Sequence, residues 1–156
     1  MAKKAKKSKK KAPARKAVKK AVKKAPAKKA APKGHIAIAP GITANDAAAS
    51  IKWYCDVLGF KVIERWEHDG VFHGAQIGSG GVIINVGQDD WKMGRDRVKG
   101  QGTRMYIDTN LDIDKYAADV KARGGVLDQE PSSGWGARMF SINDPDGFKI
   151  TFMKRG

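Results

Sequence analysis

A chain of 156 residues with 31 Lys and Arg against 16 Asp and Glu carries a formal charge of +15, and one folded domain is the expectation at that length. Its single cysteine, Cys55, excludes a disulfide framework within the chain, and no apolar run approaches the ~20 residues of a membrane span. The charge is segregated: residues 1–34 hold 16 of the basic residues and no Asp or Glu, which leaves 15 basic against 16 acidic residues, a net of −1, in the remainder.

The N-terminal segment, 1–34, is built almost entirely from Lys, Ala and Pro. Without aromatic residues it has too little to bury to offset its own ordering entropy, so the composition predicts a disordered tail. It lacks the apolar region of a secretory signal and the Arg and Ser of a transit peptide, which points to an intracellular protein. Its cations are Lys3, Lys4, Lys6, Lys7, Lys9, Lys10, Lys11, Arg15, Lys16, Lys19, Lys20, Lys23, Lys24, Lys28, Lys29 and Lys33. This composition resembles the Lys-Ala-Pro tails of linker histones and histone-like nucleoid proteins. The resemblance implies sequence-independent nucleic-acid binding through phosphate and a cytoplasmic location associated with nucleoid or chromatin; a solubility tail or localisation signal is the plainer alternative.

From residue 35 onward the pattern is that of a folded domain. Ile36–Thr43 reads as a strand. Ile51, Tyr54, Cys55 and Leu58 then fall on one face of a helix that Asp46 caps and Gly59 ends. On that face Cys55 is a small buried hydrophobe rather than a nucleophile. Phe60–His68, a tight Asp69-Gly70 turn, Val71–Ile77, the Gly78–Gly81 turn and Val82–Val86 supply three strands. Asp89–Gly102 is a polar connector. The order then returns: a strand at Thr103–Ile107, a helix near Ile113–Arg123, a strand from Val126, Ala137–Asn143, and Phe148–Met153 after the turn Asp144-Pro145-Asp146-Gly147. A shift of sixty-two residues sets Asp108, Ile113, Tyr116, Ala117 and Val120 against Asp46, Ile51, Tyr54, Cys55 and Leu58, so one module is written twice.

The paired strand-helix-three-strand modules, the Tyr54–Phe60 segment, Trp135–Phe140 and the Asp144–Gly147 turn together resemble the vicinal oxygen chelate superfamily. That superfamily includes glyoxalase I, bleomycin-resistance proteins and ring-cleaving dioxygenases. The resemblance implies an α+β fold with two βαβββ modules forming curved mixed sheets around a cleft, spanning 35–156 behind the tail, and a homodimer. It also implies a metal centre only if the ligands are kept. Counting from the repeat landmarks puts Ala39, Ile84 or Asn85, Gly102 and Thr151 at the ligand positions, and none is a carboxylate or imidazole. No metal and no cofactor is therefore expected. A site relocated to His68 or His73 with Glu64 or Glu67 is the alternative.

Strand alternation places Arg104 and Tyr106, and Lys149, Thr151 and Met153, on the cleft side. With Trp66, Phe72, Trp91 and Trp135 as walls they make a pocket for a small aromatic or amphipathic ligand carrying an anion or carbonyl. Gly78–Gly81 leads into a strand and lacks the helix dipole of a phosphate loop, and no Ser-His-Asp or Cys-His set is present. Three readings follow: a metal-free ligand-binding protein of the bleomycin-resistance type held on nucleic acid by its tail; a lyase, isomerase or dioxygenase with relocated ligands; and an architectural DNA-binding protein whose folded part dimerises.

Overall fold

A computed structural model describes Met1 and residues 37–156. The disorder and nucleic-acid contacts expected of the cationic segment lie outside the described residues. The element order is β1 (Gly41–Ala44), α1 (Ala47–Leu58), β2 (Lys61–His68), β3 (Val71–Ser79), β4 (Val82–Gln88), β5 (Arg104–Asp108), α2 (Ile113–Ala122), β6 (Leu127–Gly134), β7 (Ala137–Asn143) and β8 (Lys149–Arg155). The strands form two four-stranded mixed sheets, ordered β1-β4-β3-β2 and β5-β8-β7-β6. β1 runs parallel to β4 and β5 parallel to β8, as each helical crossover requires.

Local chemistry explains the helices. The carboxylate of Asp46 accepts from the amide of Ala49 at 2.9 Å, satisfying one of the free donors at the start of α1. Gly59 ends α1 in the left-handed conformation at φ 75°, where a side chain would be strained. In α2 the capping residue is Asp112, which accepts from the amide of Lys115 at 2.9 Å, and not the repeat-equivalent Asp108. β5 continues through Asp108, opposite Met153, so the second helix lacks the opening turn of the first. β1 is likewise shorter than Ile36–Thr43: its pairing starts at Gly41 opposite Asn85, and residues 37–40 are irregular.

The expectation of curved sheets around a cleft is not met. Each sheet is open, and the β1 and β5 edges make no hydrogen-bonded seam with one another among the described residues. The modules are joined through their helix-facing sides instead. Ile42, Ile77, Ile84 and Val86 of the first share one core with Met105, Ile107, Phe140, Ile150 and Phe152 of the second. Two tyrosines at repeat-equivalent positions pin that junction in opposite directions. Tyr54 of α1 donates to Asp144 in the second module at 2.9 Å, and Tyr116 of α2 donates to the Leu58 carbonyl in the first at 2.8 Å.

Candidate ligand site on the fifth strand

On the face of each sheet away from its helix, strand register builds rows of side chains. In the second sheet Arg104 stands beside Lys149, and Tyr106 beside Thr151, which stands beside Ser141. Arg104 and Tyr106 share the rim of a gap of about 450 Å³ between β4 and β5, with Ile38, Pro40, Val82 and Ile83 as apolar walls. Arg104 is exposed and has no ion-pair partner among the described residues, and Tyr106 is 53% exposed. A guanidinium whose charge reaches the Asp128 carboxylate without contacting it, beside a phenol ring and an apolar gap, can take a carboxylate or phosphate on a ligand with a flat or apolar body.

Lys149 and Thr151 lie on the same face but are engaged. Lys149 pairs with Asp128 at 2.5 Å, and its hydrogen bond holds that carboxyl below its ordinary range. Thr151 is buried and shares a 2.9 Å hydrogen bond with Ser141. The equivalent row in the first sheet is Glu64, Gln76 and Asn85, with the Gln76 amide donating to Asn85 at 3.1 Å.

The four aromatic residues expected as walls are not gathered here. Trp66 lies over Gly74, where an added Cβ would meet its ring at 3.1 Å. Phe72 packs against the core beneath the Arg65 guanidinium, 4.7 Å from the ring centroid. Trp135 stands 84% exposed at the β6–β7 turn. Trp91 belongs to a cluster that sequence reading missed, inside the apparently polar connector. The ammonium of Lys99, 2% exposed, sits 2.9 Å from the equally buried carboxylate of Asp89 and 5.1 Å from the Trp91 ring centroid, and it also donates to Asn45. Arg97 adds a 2.8 Å bond to Asp89 and reaches Thr43, so hydrogen bonds from Lys99 first and Arg97 second hold the Asp89 carboxyl well below the usual range. A lysine and an aspartate ten residues apart in a charged loop carry no signal of burial; only the arrival of Asn45 and Trp91 reveals it.

The counted ligand positions do not assemble a glyoxalase-type donor set. Ala39 is exposed ahead of β1, Ile84 is buried on the helix side, Asn85 is bonded to Gln76, and Gly102 precedes β5 in a turn. His68 is exposed beside Asp69 and His73 is exposed on β3. Among the described residues no three His, Cys, Asp or Glu come together in a way that could hold a metal ion.

Two open βαβββ modules packed through a common core define a paired-module scaffold of the ligand- or metal-binding kind. The chain belongs to the Glyoxalase/Bleomycin resistance protein/Dioxygenase superfamily, whose model matches residues 34–152. It is 23% identical over 122 residues to the lactoylglutathione lyase GLX1 of Arabidopsis thaliana, and the match takes in 71% of this chain and 41% of that protein. Among solved structures it is similar to TioX from Micromonospora sp. ML1, with a TM-score of 0.63 at 20% identity over 77% of this chain and 99% of that one. A glyoxalase/bleomycin resistance protein/dioxygenase from Nocardioides gives a TM-score of 0.60 at 18% identity, covering 78% and 85% of the two chains. At these identities the structural likeness speaks for the fold alone. Among the described residues no helix is long and apolar enough to cross a membrane.

Proposed function

We propose that the folded part binds a small anionic ligand with an aromatic or apolar body at the β4–β5 gap, and that residues 1–34 hold the protein on nucleic acid. The observation that carries the first half is Arg104, an exposed guanidinium without a partner among the described residues, placed with Tyr106 on the rim of an apolar gap. In this reading Arg104 takes the anion, Tyr106 the ring, and Ile38, Pro40 and Ile83 the apolar remainder. A thermal-shift screen of flat aromatic carboxylates against the wild type and Arg104→Ala tests it. Compounds that stabilise the wild type and not the variant support the site; equal stabilisation of both removes it.

The second half rests on charge placement. Sixteen cations and no acid precede a domain of net −1, so attraction to a polyanion is concentrated in one segment. A trap for a nucleic-acid-damaging ligand gains from being held beside its target, which gives the joining of the two parts a rationale.

A second reading, an enzyme of the same superfamily with its ligands relocated, is favoured by the similarity to a lactoylglutathione lyase. That similarity spans less than half of the relative. Metal analysis of protein purified without chelator, together with an assay on the methylglyoxal–glutathione adduct, separates the two: one tightly bound divalent ion per chain with turnover selects the enzyme.

A further inference from the structure

Among the described residues, three other than glycine hold a positive φ: Asp69 at 49°, Trp91 at 61° and Trp135 at 50°. Left-handed backbone strains a side chain, and tight turns relieve that strain by placing Gly, Asn or Asp there. Asp69 satisfies that rule in its Asp-Gly hairpin turn. Trp91 does not, but its ring contacts the Arg95 guanidinium at 4.6 Å and the Lys99 ammonium at 5.1 Å, which offset the strain. Trp135 has no such return. It occupies the first position of the two-residue turn between Gly134 and Ala137, with Gly136 following at φ 74°, where Asn-Gly is the preferred pair. Its side chain buries almost nothing within the chain, at 84% exposed. A large ring held outward at a strained position gains its burial from something else.

The surroundings of the turn say what. At its base is a depression of about 360 Å³ lined by Ser133, Gly134, Gly136, Arg138, Lys154 and Arg155. Arg138 and Lys154 are cross-strand neighbours. Arg138 is paired with Asp114 and Arg155 with Asp108, while Lys154 has no ion-pair partner among the described residues. Binding of single-stranded nucleic acid combines cations along the backbone with an aromatic face on which a base stacks. The N-terminal segment supplies cations but has no aromatic residue at all. We propose that the β6–β7 turn is the missing stacking point: a base of a single-stranded nucleic acid stacks on Trp135, and Lys154, the cation there without an acidic partner among the described residues, meets a flanking phosphate. The proposal rests on the nucleic-acid reading of residues 1–34.

The test uses the full chain and fluorescence anisotropy at about 0.2 M salt, with labelled oligothymidylate about twenty nucleotides long and a duplex of equal length. Trp135→Gly, which suits the backbone, is expected to weaken single-strand binding roughly ten-fold, to leave duplex binding unchanged and to leave the protein folded. Trp135→Phe should keep most of the single-strand affinity. Unchanged single-strand affinity in Trp135→Gly overturns the proposal, as does an equal loss on both polymers. A loss that accompanies halving of the sedimentation mass overturns it too, by assigning the indole to contact between copies of the chain. If the wild type ignores duplex at low salt yet still binds the single strand through Trp135, the tether reading fails and the stacking point stands; duplex binding without single-strand binding removes the stacking point alone, and no binding of either polymer removes both.

Discussion

The phenol of Tyr54 in α1 donates a 2.9 Å hydrogen bond to the carboxylate of Asp144, ninety residues further along, and both side chains are buried. The same carboxylate accepts from the amides of Asp146 and Phe148, so one side chain organises the Asp144–Gly147 turn and fastens it to the first module. Burial first, and Asp144 second, push the Tyr54 phenol far above its ordinary pKa; burial likewise raises the Asp144 carboxyl.

Tyr54→Phe leaves a buried carboxylate oxygen without its donor and should cost about 1–3 kcal/mol of stability in urea unfolding. Asp144 gives a pH signature. Because its folded pKa is raised, folded protein keeps a proton that the unfolded chain has lost between the ordinary carboxylate pKa and the raised one. Stability therefore rises as pH falls through that window and is flat below it. Asp144→Asn should flatten this part of the profile; an unchanged slope would mean the carboxyl titrates normally.

Asp89 has the opposite sign. Its depressed folded pKa contributes stability that is present above the ordinary carboxylate pKa and lost as pH falls through the folded one. Lys99→Met removes the largest of its partners and should lower the urea midpoint more than Arg97→Ala does, because Lys99 is buried and Arg97 partly exposed. The difference should narrow in strong acid. Equal effects of the two substitutions at neutral pH would deny the ammonium its central place.

The connector also depends on close backbone approach. A Cβ at Gly100, where φ is 73°, would stand 2.2 Å from the Gly147 carbonyl oxygen, whereas at Gly80, with φ 58°, it meets nothing within 4 Å. Gly80→Ala should cost only the left-handed strain, about 1–2 kcal/mol. Gly100→Ala must add a backbone displacement and lose clearly more, as thermal unfolding of both variants would show.

Arg104→Ala should weaken binding of an anionic ligand about 10- to 100-fold, the scale of a charge-assisted hydrogen bond, with the urea midpoint little changed because Asp128, the acid its charge reaches, is held by Lys149. Titration calorimetry and unfolding on the same two proteins decide this. A parallel loss of stability would make Arg104 structural.

Much of the fold was legible because its signals are local. The α1 cap and Gly59 terminator, the Asp69-Gly70 turn and the Asp144–Gly147 turn each depend on neighbours within a few residues. The duplicated pattern gave the order of elements, and alternation put Arg104, Tyr106, Lys149 and Thr151 on one face. Long-range geometry was not legible. The spacing that paired Asp108 with Asp46 hid a shortened helix capped at Asp112, and parity could not show that Thr151 is taken by Ser141 or Lys149 by Asp128. The relation between sheets was inferred from resemblance. The open edges and the helix-side junction through Tyr54 and Tyr116 replace the wrapped cleft.

The division of labour between a cationic segment and a nearly neutral folded part is tested most directly by salt. Anisotropy of a labelled duplex should be followed across a salt series with the full chain and with residues 37–156. If about eight to ten of the sixteen N-terminal cations engage phosphates, log K for the full chain falls with log salt at a slope of roughly −7 to −9, the same on unrelated duplex sequences. The folded part alone should bind duplex negligibly at moderate salt. A shallow slope for the full chain, or most of the affinity surviving in residues 37–156, would contradict the tether.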